Sequence, residues 1–349
     1  MSSPFIPHSR PTLGEDEVRR VSAVIASGHI AQGPAVAEFE RAFAAHIGTE
    51  DAVAVSSGTA ALHLALMALG AGPGTEVIIP SFVCSALLHA VRYVDARPVL
   101  ADIDPRTFNI DPEDVARRLT GRTCAIVVPH MFGLPAQTQR LLQLKVPIIE
   151  DCAQSLGSLS GDRPVGSLGH AGIFSFYATK MITTGEGGML VSPSAEVRER
   201  ARELREYDNK TADILRFNYK MTDVQAALGL SQLKRLPAFV RRRREIASRY
   251  DLAFKELKPR RPVPSSAHVY YRYVMQVDGD TDALIERMRG FGIGCARPVF
   301  RPLHHAVDPG GCPKTQHAWE RGLSLPIYPS LQEPEIERII TTFGKVWKS

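Results

Sequence analysis

The sequence lacks the marks of a disulfide-bonded, metal-binding or membrane protein. Its five cysteines are odd in number and far apart, and no two form a CxxC pair, which argues against a disulfide framework and a zinc site. No apolar run approaches the roughly 20 residues that a membrane helix needs. The first residues, MSSPFIPHSRPTLGEDE, show no basic stretch followed by an apolar one, so no secretory signal is indicated. We therefore expect a cytoplasmic protein without metal or membrane contact.

The chain also lacks a strong excess of either charge. Lys and Arg number 42 against 37 Asp and Glu, for a net charge of +5, and much of that excess lies in the run 241–244. Such a run usually forms a solvated helix face, whereas nucleic-acid binding needs a broader basic surface with exposed aromatic rings. We therefore expect no nucleic-acid partner, while an anionic small-molecule substrate remains compatible with the composition.

What the sequence does contain is a long alternation of strand-like and helix-like runs, after helix-like segments at 15–27 and 34–48. The strand-like runs lie at 51–56, 76–80, 97–103, 124–130 and 146–153. The helix-like runs between them lie at 58–70, 85–94, 112–119 and 138–144. Several strands are continuous apolar runs, as in a parallel sheet that is covered on both faces. The alternation predicts an α/β sandwich.

The pattern changes after about residue 245. Residues 268–280 alternate like a half-buried strand, and 281–292 and 333–347 have the periodicity of helices. At 349 residues the chain is long enough for about two domains. The predicted units are a large α/β domain over 1–245 and a small α+β domain over 246–349, joined by a long helix around 237–257.

Three candidate functional segments follow predicted strands, at the edge of an α/β sheet where ligands bind. The first is SSGTAAL (56–62), in which a strand runs into a helix. The backbone N–H groups at such a helix start, here those of Gly58 and Thr59, suit a phosphate, although Ser and Thr before a helix are also ordinary N-caps. The segment matches neither GxGxxG nor GxxxxGK[ST], so it predicts neither a dinucleotide site nor a P-loop.

The other two segments carry Asp151 and Lys180. Asp151 ends an apolar strand, where a carboxylate needs a cationic partner or several donors; a structural ion pair is the alternative. Lys180 lies between an aromatic run and small residues in FSFYATKMITTGEGGML, and a lysine in a partly desolvated site is an amine nucleophile. A phosphate cradle, a buried carboxylate and a reactive lysine together suggest pyridoxal phosphate, bonded to Lys180 and paired through its ring nitrogen with Asp151.

Over nearly its whole length the chain resembles the DegT/DnrJ/EryC1/StrS family of sugar aminotransferases. The ordered segments that carry the resemblance are SSGTAALHLAL (56–66), PHMFG (129–133), EDCAQSLGS (150–158), FSFYATKMITTGEGG (174–188), FNYKMTDVQAALGLSQL (217–233) and LSLPIYPSL (323–331). The resemblance implies the fold-type-I aminotransferase architecture, with a large mixed or mostly parallel sheet between helices and a smaller C-terminal α+β domain. It also implies a homodimer with shared active sites.

The resemblance assigns roles to single residues around the cofactor ring. It maps Lys180 to the lysine that bonds the cofactor, Asp151 to the partner of the pyridine nitrogen and Gln154 to the neighbour of the ring hydroxyl. The family commonly has an aromatic ring stacked on the cofactor where this chain has Cys84. Either Cys84 packs on the ring or Phe82 turns in to replace the missing aromatic group.

Further roles concern the phosphate and the substrate. The resemblance maps Gly58, Thr59 and Ser175 to the phosphate site, and Asn218 to an asparagine that reaches the phosphate from the other subunit, where a local turn or cap is the alternative. It maps His130 to a histidine near the cofactor and substrate, although its spacing alone fits a structural histidine. Lys220 stands where the family often has Arg; it keeps the charge but loses the bidentate fork.

The expected activity is transfer of an amino group, with glutamate as the expected donor, to a keto sugar linked to a nucleotide diphosphate. Arg297 and Arg301, beside His304 and His305 in CARPVFRPLHH, are candidates to hold the diphosphate, because arginine forms bidentate hydrogen bonds with such groups; solvated surface charge is the alternative. A sugar dehydratase of the same fold is a rival, although the resemblance implies that such relatives replace the lysine with histidine. A non-catalytic cofactor-binding or regulatory homologue is a second rival.

Overall fold

A seven-stranded mixed sheet forms the centre of the larger part of the protein. The computed structural model describes residues 4–257, 259–308 and 311–348. The sheet strands are β1 (Ala52–Val55), β2 (Glu76–Pro80), β3 (Arg97–Ala101), β4 (Thr123–Pro129), β5 (Ile148–Asp151), β8 (Ala171–Ser175) and β9 (Gly188–Val191). A short hairpin, β6 (Leu159–Ser160) and β7 (Arg163–Pro164), precedes β8. The strand order is β1-β9-β8-β5-β4-β2-β3, and β9 alone runs antiparallel to its neighbours, so the predicted mixed, mostly parallel sheet is confirmed.

Helices cover both faces of this sheet, because its strands are apolar on both sides. Those of the first 205 residues are α1 (Glu15–Ser27), α2 (Pro34–Ile47), α3 (Gly58–Ala68), α4 (Ala86–Tyr93), α5 (Pro112–Arg118), α6 (Thr138–Leu142) and α7 (Ala195–Arg205). The predicted helices of this region agree with these bounds to within about two residues. Residues 60–66 of α3 are all buried, which matches its nearly uniform apolar sequence.

One long helix, α8 (Asp223–Ala253), runs from the sheet to the C-terminal part of the chain. It begins well before the predicted start near 237, because Thr222 and Gln225 form a reciprocal N-terminal cap. The Thr222 hydroxyl accepts from the Gln225 N–H (3.2 Å), and the Gln225 side chain accepts from the Thr222 N–H (2.9 Å). Pro237, the expected first residue, lies inside the helix. The predicted domain boundary at 245 falls within it.

The C-terminal part packs a small sheet against helices. Strand β10 (Tyr273–Gln276) pairs antiparallel with β11 (Gly322–Leu325). Its helices are α9 (Thr281–Gly290), α10 (His304–Val307), α11 (Pro313–Arg321) and α12 (Glu333–Lys348). The strand predicted over 268–280 is shortened, because Tyr270 has a left-handed φ of 50° that breaks the extended chain. Residues 268–272 therefore form an irregular segment before β10.

The buried side chain of Glu150 joins the central strands β4 and β5 to the loops that follow them. The Glu150 side chain, in β5, accepts hydrogen bonds from His130 Nε2 (3.0 Å) and from the N–H groups of Leu168 and Gly169 (2.8 Å each). His130 Nδ1 in turn accepts from the Ala136 N–H (2.9 Å). His130 is fully buried and both its ring nitrogens are engaged within the chain, which favours the structural histidine that its spacing alone suggested.

We predict that Glu150→Ala lowers the free energy of unfolding by about 3 kcal/mol near neutral pH, because two buried donors and one partly buried donor lose their acceptor at about 1–3 kcal/mol each. Burial opposes ionisation of Glu150, but its hydrogen bonds, with that from His130 the strongest, bring the pKa of the carboxyl below its ordinary 4.5. The stabilisation is therefore complete above the unfolded-state pKa and is lost as the pH falls through the lower folded-state pKa.

Urea unfolding of both proteins, at neutral pH and in steps below the ordinary pKa, measures this difference. Glu113→Ala is the matched control, because the Glu113 side chain is 70% exposed and its contact with Arg140 is 3.6 Å long. This control should change stability by less than about 0.5 kcal/mol. An equal, small effect of both substitutions would contradict the role given to Glu150.

Candidate active site

A cavity of about 290 Å³ opens where β1, β5 and β8 end and α3 begins. Its walls come from segments that are far apart in the chain but meet at this edge of the sheet. The lining residues are Ser57, Gly58, Thr59, Leu62, Cys84, Ala86, Leu87, Asp151, Ala153, Ile173, Ser175, Tyr177, Lys180 and Glu186. The size lies at the lower end of small-ligand cavities. All three segments singled out in the sequence thus contribute to one site.

The start of α3 presents unused donors to this cavity. Ser57 is the N-cap: its hydroxyl accepts from the Ala60 N–H (3.0 Å), and its carbonyl accepts from the Ala61 N–H (3.1 Å). Within the described part of the chain, no residue accepts from the N–H of Gly58 or Thr59. These two groups are among the orphan donors of a helix start, and the helix dipole favours an anion beside them.

Glycine at position 58 permits close packing between α3 and β8. A Cβ at Gly58 would lie 2.7 Å from the Cβ of Ser175, which is closer than real side chains approach. The absence of that carbon brings the Ser175 hydroxyl beside the helix start. The residues predicted for the phosphate within one subunit, Gly58, Thr59 and Ser175, therefore lie together on the cavity wall.

Asp151 is the buried carboxylate of the site. It ends β5, is 8% exposed and lines the cavity. One side-chain oxygen accepts from the Ala153 N–H (2.9 Å); among the described residues, no group donates to the other oxygen. Burial raises the pKa of the Asp151 carboxyl, while the Ala153 N–H and the Lys180 charge act in the opposite direction. A protonated ring nitrogen placed in the cavity would give this carboxylate the partner that burial demands.

Lys180 projects from the loop between β8 and β9. The aromatic residues before it, Phe174 and Phe176, are fully buried and pack on Phe43 of α2, with ring centroids 4.8 and 5.5 Å away. The following Met181 and Ile182 are buried as well. Lys180 itself is half-buried on the cavity wall. The apolar anchors on both sides fix the loop, so the cation points into the site rather than into solvent.

Tyr271 is a neighbour of Lys180 that the sequence did not reveal. Lys180 Nζ lies 5.1 Å from the centroid of the Tyr271 ring, within cation–π range. The Tyr271 hydroxyl lies 3.4 Å from that of Thr179. In the sequence this tyrosine belonged to a run interpreted as an alternating strand, and its approach to Lys180 depends on the left-handed backbone of Tyr270. Tyr177 and Glu186, which also line the cavity, were missed too.

Cys84 lies in the cavity and Phe82 does not. Cys84 is exposed and lines the cavity wall. Phe82 is fully buried, with its ring packed against those of Phe108 and Phe132 at centroid distances of 5.8 and 6.1 Å. Of the two residues considered for this position, the structure therefore brings the Cys84 thiol to the cavity wall.

Two predicted cofactor residues lie outside the cavity wall. Gln154 uses its side-chain oxygen to accept from the Phe132 N–H (3.0 Å). Asn218 is exposed, in a segment that runs beside β1 through the bond from the Ser56 N–H to the Tyr219 carbonyl (2.8 Å). The neighbouring Lys220 forms an ion pair with Asp208. Within one chain, therefore, Asn218 does not reach the cofactor cavity.

The arginines predicted to hold a diphosphate also lie elsewhere in the single chain. Arg297 pairs with Asp282 (2.9 Å) and stacks on the Trp319 ring at 4.7 Å. Arg301 is exposed and donates to the His305 carbonyl (3.2 Å). His304 is buried, with Nδ1 bonded to the Ser81 hydroxyl at 2.7 Å. None of these side chains lines the cavity around Lys180.

Comparison with known proteins identifies the family. The sequence model of the DegT/DnrJ/EryC1/StrS aminotransferase family matches residues 11–344. This chain belongs to that family. It is 36% identical over 381 residues to the spore coat polysaccharide biosynthesis protein SpsC of Bacillus subtilis, covering 99% of this chain and 97% of that protein.

Solved structures agree with this assignment. The aminotransferase TlmJ from Streptoalloteichus hindustanus is 36% identical and superimposes with a TM-score of 0.93 over 98% of each chain. The putative sugar aminotransferase Spr1654 from Streptococcus pneumoniae, in its pyridoxal-phosphate form, is 29% identical with a TM-score of 0.92 over 99% of each chain. The protein is thus a sugar aminotransferase with the fold-type-I architecture, and its cofactor is pyridoxal phosphate.

The cavity of this sugar aminotransferase fits that cofactor. The unused N–H groups at the start of α3 suit its phosphate. The unpartnered oxygen of Asp151 suits its ring nitrogen, and the Lys180 amine suits its aldehyde. No cluster of three or more metal-ligating side chains occurs within 4–257, 259–308 and 311–348. Over the same residues, no helix combines the length and apolar character of a membrane span.

The exposed thiol in the cavity gives a direct test of where the cofactor binds. In the cofactor-free protein, Cys84 should react first with a thiol reagent such as Ellman's reagent, because Cys152, Cys295 and Cys312 are buried and Cys124 is half-buried. Pyridoxal phosphate should slow this first reaction roughly tenfold at nine-tenths occupancy of the site. The measurement is the absorbance of the released thiolate against time.

The control for this experiment is Cys84→Ser, which should lack the fast phase while the slower cysteines react as before. Pyridoxal 5'-alcohol, which has no phosphate, should protect less at equal concentration if the start of α3 binds the phosphate. A fast phase that persists unchanged with saturating pyridoxal phosphate would contradict the placement of the cofactor in this cavity.

Proposed function

We propose that this aminotransferase moves an amino group from glutamate to a keto sugar linked to a nucleotide diphosphate. The observation that carries the proposal is the convergence of Lys180, Asp151 and the free donors of α3 on one cavity. SpsC is named for polysaccharide biosynthesis, which is consistent with a sugar substrate. The net charge of +5 suits an anionic one. We expect such an enzyme to act in the cytoplasm.

Each residue of the cavity has a chemical task in this proposal. When bound, pyridoxal phosphate supplies the electron sink that stabilises negative charge on the substrate carbon. Asp151 keeps the ring nitrogen protonated, since its buried carboxylate stabilises an adjacent cation. The N–H groups of Gly58 and Thr59 and the Ser175 hydroxyl hold the phosphate. Lys180 would hold the cofactor between turnovers and, when free, its Nζ would take a proton from the substrate carbon and return it.

Lys180 also separates this activity from that of a sugar dehydratase of the same fold. An amine on a flexible stem can both bond the cofactor aldehyde and shuttle a proton. A histidine in its place, as the resemblance implies for the dehydratases, forms no such bond to the aldehyde. The lysine on the cavity wall therefore supports transamination rather than dehydration.

The nucleotide diphosphate is assigned to the segment around Arg301. Arg301 is exposed, whereas the Arg297 guanidinium already has Asp282 and the carbonyl oxygens of Trp319 and Glu320 as partners. Arg301 can therefore turn toward an anion without breaking an ion pair. In this proposal the ion pair of Arg297 fixes the segment 297–301. Arg301, at the end of this segment, contacts the diphosphate.

A homodimer with shared sites accounts for the positions of Asn218 and of several exposed apolar side chains. Val18 and Ile25 of α1 are 67% and 59% exposed, and Leu215 is 70% exposed. Apolar side chains at this exposure are candidates for a surface covered by a partner subunit. In the proposed dimer, Asn218 reaches the phosphate in the cavity of the partner subunit. Both active sites then depend on both chains.

The two half-reactions test the proposed function separately. Glutamate added to the enzyme should convert the cofactor to its amine form, and a nucleotide-linked keto sugar should convert it back, each followed by the cofactor absorbance. Arg301→Ala should raise KM for the nucleotide sugar by roughly tenfold, the effect of losing one charged hydrogen bond, and should leave the glutamate half-reaction unchanged. Arg289→Ala, whose exposed side chain pairs with Glu286 on α9, is the matched control.

Two results would overturn the assignment of substrates. Equal turnover of the free keto sugar and its nucleotide-linked form would remove the diphosphate from the proposal. Failure of glutamate, but not of another amino acid, to convert the cofactor would remove glutamate as the donor.

Loss of a diphosphate contact should also appear as a weaker salt dependence of KM, because exposed charge contacts are screened by salt.

The shared site predicts complementation between two inactive chains. Lys180→Ala and Asn218→Ala proteins, mixed and allowed to exchange subunits, should form dimers with one doubly altered site and one intact site. Random exchange makes about half of the dimers mixed, so the activity should rise to about a quarter of the wild-type value. Mixing each variant with itself is the control. Verified exchange without recovery, while Asn218→Ala alone is impaired, would contradict shared sites.

A further inference from the structure

Tyr271 is buried against the amine that the proposed function assigns to the cofactor. It is 7% exposed, and the Lys180 Nζ lies 5.1 Å from its ring centroid. Its hydroxyl lies 3.4 Å from the Thr179 hydroxyl, one residue before Lys180. The ring and the hydroxyl therefore both contact the lysine loop. No role among those assigned above uses this side chain.

The backbone around Tyr271 is fixed to the large sheet domain, so the ring cannot easily move away from Lys180. The Val269 N–H donates to the Gly133 carbonyl (3.0 Å), and the Ser158 hydroxyl donates to the Ala267 carbonyl (2.6 Å). Tyr270 has a φ of 50°, a strained conformation that is kept where surrounding contacts enforce it. The strained turn aims the next side chain at the lysine loop.

Gly133 makes this approach possible. It has a φ of 97°, and a Cβ there would lie 2.8 Å from Val269 Cγ2 and 3.0 Å from the Tyr271 N atom. Both the left-handed backbone and the lack of space require glycine at this position. The PHMFG segment therefore supports the lysine loop indirectly, by allowing the 268–272 segment to approach the sheet.

The charged groups around Tyr271 are positive. Besides Lys180, the Arg272 guanidinium lies 5.3 Å from the same ring, and Arg243 of α8 donates to the Tyr271 carbonyl (3.2 Å). Arg272 is held by His8, whose pKa is lowered to about 3 by burial and by the Arg272 charge, so that it remains a neutral acceptor. The carboxylates on the wall of the same cavity as Lys180 are those of Asp151 and Glu186.

These cations change the acidity of the buried phenol. Burial alone raises the pKa of a tyrosine, but the charges of Lys180 and Arg272, with smaller help from Thr179 and Arg243, lower the pKa of Tyr271 to about 8. Removing one of the two nearest cations should raise that pKa again. The phenol therefore reports whether Lys180 is beside it.

We propose that Tyr271 is a positioning residue for Lys180: its ring holds the amine by a cation–π contact, and its hydroxyl, anchored on Thr179, keeps the ring in place. The contact acts whenever Lys180 is not bonded to the cofactor. It then keeps Nζ at the cavity wall, where the proton of the substrate carbon is taken up and returned. The inference rests on the proposed role of Lys180, and its two tests separate the contact itself from that role.

The first test uses cofactor-free protein and needs no catalysis. Titration of tyrosinate absorbance should show one tyrosine that ionises near pH 8, as the pKa of Tyr271 predicts. Tyr271→Phe should remove that step, and Lys180→Met should move it to higher pH. Tyr273→Phe is the matched control, because Tyr273 is buried on the same segment but bonds to Asp251 (2.8 Å) instead. It should leave the step unchanged.

The second test measures the turnover of glutamate and a nucleotide-linked keto sugar by the enzyme loaded with pyridoxal phosphate. Tyr271→Leu, which removes the ring, should lower kcat about tenfold, equivalent to about 1.4 kcal/mol. Tyr271→Phe, which keeps the ring, should lose no more than about threefold, and KM should stay the same in both. Tyr273→Phe should keep the wild-type kcat. Folding of each variant is checked by its near-ultraviolet circular dichroism.

The outcomes are distinct. A step near pH 8 that Lys180→Met leaves in place would show that the lysine is not beside the phenol, and full kcat in a folded Tyr271→Leu protein would show that the ring does not position it. Either result overturns the inference. If another lysine proves to bond the cofactor, the proposed function fails, while the titration still reports on the contact between Tyr271 and Lys180.

Discussion

The site depends on close packing between three chain segments: the start of α3, β8 and β9. This packing is possible only where glycine leaves room that a side chain would fill. A Cβ at Gly58 would collide with Ser175 of β8, and one at Gly188 of β9 would collide with the Ser57 carbonyl. The start of α3 therefore lies directly on the two strands that flank the lysine loop. Because interiors are densely packed and adjust little, this contact fixes the distance between the free N–H groups of α3 and the Lys180 side chain. The TGEGG stretch (184–188) in this sense shapes the start of α3, which we propose as the phosphate site.

The electrostatics of the cavity follow from what is buried around it. Asp151 ends an apolar strand, and burial raises the pKa of its carboxyl although the nearby Lys180 charge acts in the opposite direction. On the other side, Tyr271 lies between Lys180 and Arg272, which lower the pKa of its phenol to about 8. The Asp151 carboxylate and the Lys180 amine thus face the same cavity. The carboxylate needs a cation, and the amine is flanked by the buried phenol of Tyr271. Such opposed environments are characteristic of sites that transfer protons.

Much of this arrangement could be predicted from the sequence, and the remainder could not for identifiable reasons. Asp151 and the start of α3 lie at strand ends, which follow from local apolar patterns and turn residues. The early start of α8 was missed because Pro237 gives a stronger local signal than the cap at Thr222. Tyr271 was missed because its approach to Lys180 needs both the left-handed turn at Tyr270 and the space left by Gly133, and neither leaves a periodic pattern. The resemblance mapped His130 to a histidine near the cofactor and substrate, while its spacing alone fitted a structural histidine; its burial and its hydrogen bonds to Glu150 and Ala136 favour the second interpretation.

The central claim is that Lys180 is the residue that bonds the cofactor, and reductive trapping tests it most directly. The enzyme loaded with pyridoxal phosphate is treated with borohydride, digested and analysed by mass spectrometry, with Lys180→Ala as the control. The account predicts that the cofactor mass is fixed to the peptide that contains Lys180, and that no peptide of the Lys180→Ala protein carries it. Cofactor fixed to a different lysine, or fixed equally well in the Lys180→Ala protein, would contradict the account.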